Sequence, residues 1–183
     1  MRLVPVNHTS GGYQDVEIGP DGKLYAAQLS TAKIVRFDPD TGGDLPGFGQ
    51  TGADYSTGSP LSTSIGIAFD PDGDVYVTTY SGGSVEQFQG PSGPQPGQWI
   101  STFLSGLGTI DDIEFVEGDF YITKRGNEIL RYTAAGVANP APGHTGDVFA
   151  DATDGLAYYT TRLAEGPDGF LYVGDNVDTY RFY

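Results

Sequence analysis

The chain of 183 residues has no cysteine, two histidines, and nine lysines and arginines against 24 aspartates and glutamates. Each shortage excludes a class of function. Without cysteine there is no disulfide framework, no thiolate metal site and no thiol nucleophile. A formal net charge of −15 repels phosphate backbones and anionic lipid, so nucleic acid is excluded as a partner and cation binding is favoured. No run of 18 apolar residues occurs, which argues against membrane insertion through a helix. The segment 1–6 is too short, and too early broken by Pro5, to serve as the apolar part of a signal peptide. No window keeps a 3.6-residue period for ten residues before a glycine interrupts it, so no helix is expected.

What the chain has instead is glycine (28 residues), tyrosine (12) and phenylalanine (10). These residues fall into a repeat. Gly22 to Tyr25, Gly73 to Tyr76, Gly118 to Tyr121 and Gly169 to Tyr172 each read glycine, any residue, apolar, tyrosine. The four tyrosines are 51, 45 and 51 residues apart. Each is followed by an aromatic that closes a further strand, at Phe37, Phe88, Tyr132 and Phe182, and in three copies an arginine precedes it. The unit at 65–88 is the clearest copy. An alternating strand runs into the turn Asp70, Pro71, Asp72, Gly73; a run of β-branched and aromatic residues follows; Gly82 and Gly83 turn the chain back into Val85 to Phe88. Periods of 45 to 50 residues built from short strands mark a propeller with one blade per repeat.

The expected fold is therefore all-β, a single domain over 1–183 with four blades of about four antiparallel strands. The blades fall at 13–50, 64–104, 111–150, and 162–183 completed by 2–6. The segments 99–104 and 147–150 read as outer fourth strands, and a short one is expected near 45–48. The last unit stops after its third strand, and Arg2, Leu3, Val4, Pro5 and Val6 form the alternating piece it lacks. Pairing of that piece with the edge of Tyr180 and Phe182 closes the ring within one chain, or links copies into a dimer or filament. The Pro- and Gly-rich segments 41–64, 90–97 and 134–146 read as surface loops, where recognition of another protein or a glycan would be sought. The four repeated tyrosines are read as packing between blades. Tyr13, Tyr55 and Tyr159 fall outside the register and are candidates for a carbohydrate-stacking surface or a subunit contact.

Residues 66–77 and 163–173 resemble the repeats of bacterial NHL-type propellers, a group whose blades are similar to those of streptogramin lyase and the SMP-30/gluconolactonase enzymes. The resemblance covers all four units and implies a propeller. A second resemblance, of residues 112–115 with 118–121, is to hemopexin-like repeats, which close with four blades and hold cations in the central channel. The lactonase branch implies a metal held by Glu and Asn at strand starts, and the first strands here lack Asn. The lyase branch implies a channel histidine beside an acid, whereas His8 and His144 sit in loops.

The first strand of each unit should line the channel. Alternation places Asp15 with Glu17, and Asp112 with Glu114, on one face each, from opposite blades. Four converging carboxylates call for a counter-charge, either a hard cation such as Ca²⁺ in the channel or Arg162. Glu17 and Glu114 are also the candidate acid–base pair. Residues 151–155 resemble a fragment of a calcium loop but lack its later glutamate, and are read as a turn. The leading expectation is a non-catalytic structural or interaction module of an exported bacterial repeat protein, extracellular or at the cell surface, self-assembling through outer strands. The alternatives are a metal-dependent hydrolase, lactonase or lyase, and a carbohydrate-binding propeller.

Overall fold

The computed structural model describes residues 12–58, 60–157, 159–175 and 177–182. They form four antiparallel sheets in chain order. Sheet 1 holds β1 (Tyr13–Ile18), β2 (Leu24–Gln28) and β3 (Lys33–Phe37). Sheet 2 holds β4 (Ser64–Phe69), β5 (Val75–Thr79), β6 (Ser84–Phe88) and β7 (Trp99–Leu104). Sheet 3 holds β8 (Ile110–Val116), β9 (Asp119–Lys124), β10 (Glu128–Thr133) and β11 (Val148–Ala150). Sheet 4 holds β12 (Arg162–Glu165), β13 (Leu171–Gly174) and β14 (Thr179–Phe182). A single 3-10 turn at Ala152–Asp154 is the helical structure among the described residues. No helix among them is long and apolar enough to cross a membrane. The segment 2–6 lies outside the described residues, so the expected closing strand is not placed.

Turn chemistry sets the first hairpin of each sheet. Between β4 and β5, the Gly73 N–H donates to Asp70 O at 3.0 Å and Gly73 takes φ 89°. A residue with a Cβ is strained there. Asp70 then accepts from the Asp74 N–H at 2.9 Å and from the Tyr76 hydroxyl at 3.1 Å. The same aspartate–tyrosine bond recurs from Tyr25 to Asp21 at 3.3 Å and from Tyr172 to Asp168 at 2.9 Å. Sheet 3 uses a two-residue turn instead, with Glu117 and Gly118 both at positive φ (51° and 94°), which suits the twist of a tight hairpin.

The sheets pack face to face in sequence. Tyr25, Ala27, Ile34 and Tyr55 of the first repeat meet Ile67, Val75, Val77 and Phe88 of sheet 2. Tyr76 and Val85 of sheet 2 meet Ile113, Phe120 and Ile122 of sheet 3. Val116, Tyr121 and Ile129 of sheet 3 meet Leu163, Leu171 and Val173 of sheet 4. The repeated tyrosines carry this stacking. Tyr25 lies edge-on to Phe69 of the next sheet at 4.9 Å, and Tyr76 against Phe120 at 4.5 Å. The far face of sheet 1 is different: Tyr13, Val16 and Ile18 are exposed beside Leu24, Ala26 and Phe37.

Two local expectations are corrected. In place of a strand at 45–48, β3 is flanked by isolated bridges to Asp44 and Asp54, with the Tyr55 N–H donating to Ile34 O at 2.8 Å. That contact pulls the loop inward. Tyr55 is thereby fully buried, edge-on to Tyr25 at 5.0 Å, with its hydroxyl donating to Gln89 O at 2.8 Å. It is a core residue and offers nothing to a glycan or a subunit.

Candidate functional site

The site is built where the first strands of the sheets converge. β1, β4 and β8 each carry a register shift near their starts, between Tyr13 and Asp15, Ser64 and Ile67, and Ile110 and Ile113. Bulges of this kind re-aim side chains. In β8 the shift buries two consecutive acids, Asp111 and Asp112. Asp111 pairs with Arg125 at 3.3 Å, and the guanidinium stacks over Tyr80 at 4.6 Å from the ring centre. Around them Gln14, Ser30, Ser62 and Thr63, with the apolar Leu29 and Ile65, line a bowl of about 520 Å³.

Asp112 turns the other way, toward the acids of β1. The four predicted channel acids are brought together electrically: the Asp15 charge acts on Asp112, and the Glu17, Asp112 and Asp15 charges act on Glu114. They also have structural partners that sequence reasoning missed. Asp15 accepts the Ile67 N–H of the next sheet at 2.9 Å, and Asp112 accepts the Leu163 N–H at 2.9 Å, across separations of 52 and 51 residues. Glu114 accepts the Glu165 N–H at 3.4 Å. These three acids thus tie their own strands to the first strand of the following sheet. No local pattern in the sequence announces such a bond; the equal spacing of the repeats is the one signal that could have found it.

Small residues make this approach possible. A Cβ on Gly66 would lie 2.7 Å from Asp112 Oδ1 and 2.8 Å from Asp112 Cα. Arg162, anticipated as a counter-charge, is in place: its Nη1 lies 3.8 Å from Asp112 Oδ1, and its Nη2 donates to Gln14 O of sheet 1. Asp112 Oδ1 and Arg162 Nη1 are both buried without a hydrogen bond.

Crowding displaces the titrations. Burial, then the Asp15 charge, pushes Glu17 up to about 6. Burial, then the Glu17 charge, pushes Glu114 up to about 8. Asp112 is raised as well, by burial and then by Asp15. A half-buried wall of carboxyls on opposed strands that keep different protonation states can accept a proton at one group and release one at another.

Among the described residues, the one group of three metal-ligating side chains with donor atoms within 4.8 Å of one another lies elsewhere: His144, Asp151 and Asp154. Sequence reading had set these apart, as a loop histidine and a turn. Of the expected assembly residues, Tyr180 donates its hydroxyl to Asp175 at 3.1 Å and Phe182 stacks on Phe149 at 5.5 Å, so both are engaged within the chain. Arg2, Leu3, Val4, Pro5, Val6 and His8 lie outside the described residues.

No family model and no curated protein matches the chain. Solved structures do. Virginiamycin B lyase from Staphylococcus aureus is 16% identical at a TM-score of 0.63, over 97% of this chain and 57% of its own. A structural-genomics target classed as a gluconolactonase is 17% identical at 0.64, over 92% and 57%. The computationally designed protein Ika4 is 15% identical at 0.60, over 100% and 98%. The chain therefore spans less than two thirds of the two natural proteins' length. The likeness establishes an all-β, propeller type of fold similar to that of the gluconolactonase and streptogramin B lyase structures. It does not single out NHL-type or hemopexin-like repeats. It also corrects the leading expectation of a non-catalytic structural module: the first of the two natural proteins is a lyase and the second is classed as a gluconolactonase. The physical reason is that the spacing of histidine and asparagine carries no measure of burial, and burial is what sets Glu17 and Glu114 apart from surface acids.

Proposed function

We propose that the chain is the propeller of an enzyme of the lactonase or lyase type, with its four sheets as four blades and Glu17 and Glu114 as base and acid at the axis. The observation that carries this reading is the separation of the two glutamates' titrations, to about 6 and about 8. At neutral pH Glu17 is mostly ionised and Glu114 mostly holds its proton, the division of labour that acid–base catalysis needs. The match to the designed Ika4, at a TM-score of 0.60, supports the propeller type of fold.

In lactone hydrolysis, Glu17 takes a proton from water as the water oxygen attacks the ring carbonyl carbon. The bond from that carbon to the ring oxygen breaks, and Glu114 delivers its proton to the departing oxygen. In an elimination the same pair removes a C–H proton beside a carbonyl and protonates the leaving oxygen. Hydrolysis is favoured because both glutamates are only half-buried and within reach of water.

A divalent cation is compatible with the same wall. Asp112 Oδ1, buried and without a hydrogen bond, offers one ligand oxygen, and Glu114 on the same strand a second. When bound it would polarise a carbonyl. The residues favour the proton-based reading, since the channel oxygens are not gathered in threes within 4.8 Å and Arg162 already faces Asp112.

The test is turnover of a panel of lactones followed against pH. The expected profile is a bell with limbs near 6 and 8, and Glu17→Gln or Glu114→Gln should cut kcat by about 10²–10⁴. Addition of Ca²⁺ that sharpens turnover and displaces the alkaline limb would favour the cation. Absence of turnover across the panel, or equal rates in both variants and wild type, would refute the assignment.

A further inference from the structure

The outer rim between sheets 3 and 4 carries a group of titratable side chains that the channel does not use. His144 lies in the connection from β10 to β11, held by its N–H to Ala141 O at 3.0 Å. Asp151 and Asp154 bracket the single 3-10 turn that leads the chain away from β11. Two separate segments thus converge. Nδ1 of His144 is 3.7 Å from Asp151 Oδ2, and Nε2 is 3.0 Å from Asp154 Oδ2. One donor atom from each of the three residues falls within 4.8 Å of the other two. The imidazole is largely buried, its side chain 13% exposed, in the wall of a concavity of about 490 Å³ bounded by Pro142, Gly143, Thr145 and Val148.

Donors bound to one ion at about 2.0–2.2 Å sit roughly 3.0–3.5 Å from each other; the His144 Nε2–Asp154 Oδ2 distance of 3.0 Å falls in that range, and a single imidazole nitrogen would bind the ion while Asp151 closes in from within 4.8 Å. An imidazole nitrogen with two carboxylate oxygens is a borderline donor set. It suits Zn²⁺ better than Ca²⁺, which takes oxygen ligands in larger number. The turn prepares both acids. Asp151 accepts from the Thr153 N–H and hydroxyl through Oδ1, which leaves Oδ2 toward the histidine. Asp154 reaches back to the Asp151 N–H at 2.9 Å, which fixes the spacing of the two carboxylates.

We propose that His144, Asp151 and Asp154 bind one Zn²⁺ at the outer edge of the ring, with water in the remaining coordination positions. The site is independent of the channel assignment: it stands on other elements and is read without catalysis. Its effect is to fasten the β10–β11 connection to the crossover into sheet 4, a cross-link in a chain with no cysteine to make one.

The experiment is calorimetric titration of the intact chain with ZnCl₂ in excess Mg²⁺, which occupies non-specific acidic surface. One saturable site is expected. His144→Gln and Asp154→Asn should weaken it at least about tenfold, as loss of one ligand in three requires. Asp154→Asn keeps an oxygen for the Asp151 N–H, so an unchanged circular dichroism spectrum separates ligand loss from unfolding. Zn²⁺ should raise the Tm of wild type but not of His144→Gln. Glu114→Gln should bind as wild type does. Lack of a saturable site, equal affinity in His144→Gln, or loss confined to Glu114→Gln would overturn the proposal; the first two leave an imidazole beside two carboxylates and nothing more.

Discussion

At the scale of single residues, the channel glutamates illustrate how position alone changes chemistry. Burial and the Glu17 charge raise Glu114 from the ordinary carboxylate range to about 8. The sign of the consequence for stability follows directly. A carboxyl whose pKa is higher folded than unfolded favours the folded state while protonated. That contribution is fully present below the unfolded value of about 4.5 and is lost as pH rises through 8. Glu17 adds a smaller loss between about 4.5 and 6. Glu114→Gln keeps the shape and an oxygen for the Glu165 N–H but never ionises. It should flatten the fall of Tm between pH 5 and 9, and at pH 9 exceed wild type by about 1–2 kcal/mol, a value discounted for partial exposure. Thermal melts of the two proteins across that range check it; parallel curves would mean that Glu114 titrates at its ordinary value.

At the scale of elements, the strands were legible because their punctuation is chemical. Gly73 and Tyr76 mark a turn and the strand after it, and the copies at Gly22, Gly118 and Gly169 sit in the same structural place. The placement of Asp15, Glu17, Asp112 and Glu114 on converging strands was legible from alternation alone. What could not be read was anything decided by contact between repeats. Tyr55 is buried because a loop rich in glycine folds back on β3, and composition gives such a loop the look of a surface. The clasp of Asp15 on Ile67 and of Asp112 on Leu163 is a matter of how far one sheet is rotated from the next. His144 meets Asp154 only because the chain doubles back at the rim. Gly66 belongs to the same class. It sits in a buried strand without positive φ, and its need for glycine comes from β8, whose Asp112 backbone and carboxylate stand within 3 Å of where a Cβ would be. Gly66→Ala must separate β4 from β8 or tilt the Asp112 carboxylate away. Overpacking of this kind costs about 1–3 kcal/mol, with the upper end expected because the obstacle is partly backbone. Chemical denaturation measures the loss, and a neutral effect would show that the first strands slide freely past one another.

At the scale of the whole molecule, the sheets are not joined equally. Three apolar interfaces link sheets 1 to 2, 2 to 3 and 3 to 4, each with aromatic rings from both partners or large aliphatic groups between them. From sheet 4 back to sheet 1 the described contact is polar: Arg162 Nη2 on the Gln14 carbonyl, with Nη1 beside Asp112. One guanidinium therefore bridges three sheets, and in a chain of net charge −15 it is the cation nearest the crowded acids. Arg162→Met should keep the aliphatic bulk while removing the bridge and leaving Asp112 without its counter-charge. Removal of one partner from a buried pair costs about 3–5 kcal/mol. Because the Arg162 side chain is 43% exposed, roughly 1–3 kcal/mol is the better expectation. The loss should be local. Hydrogen exchange should speed up in β1 and β12, whose mutual contact depends on the arginine, while β5, β6, β9 and β10 keep their protection inside the apolar interfaces. Arg162→Lys, with a single point of donation, should restore charge to Asp112 but not the hold on Gln14, and so recover stability without recovering protection of β1. Uniform exchange in Arg162→Met would mean that the two ends of the sheet series are held by something other than this side chain.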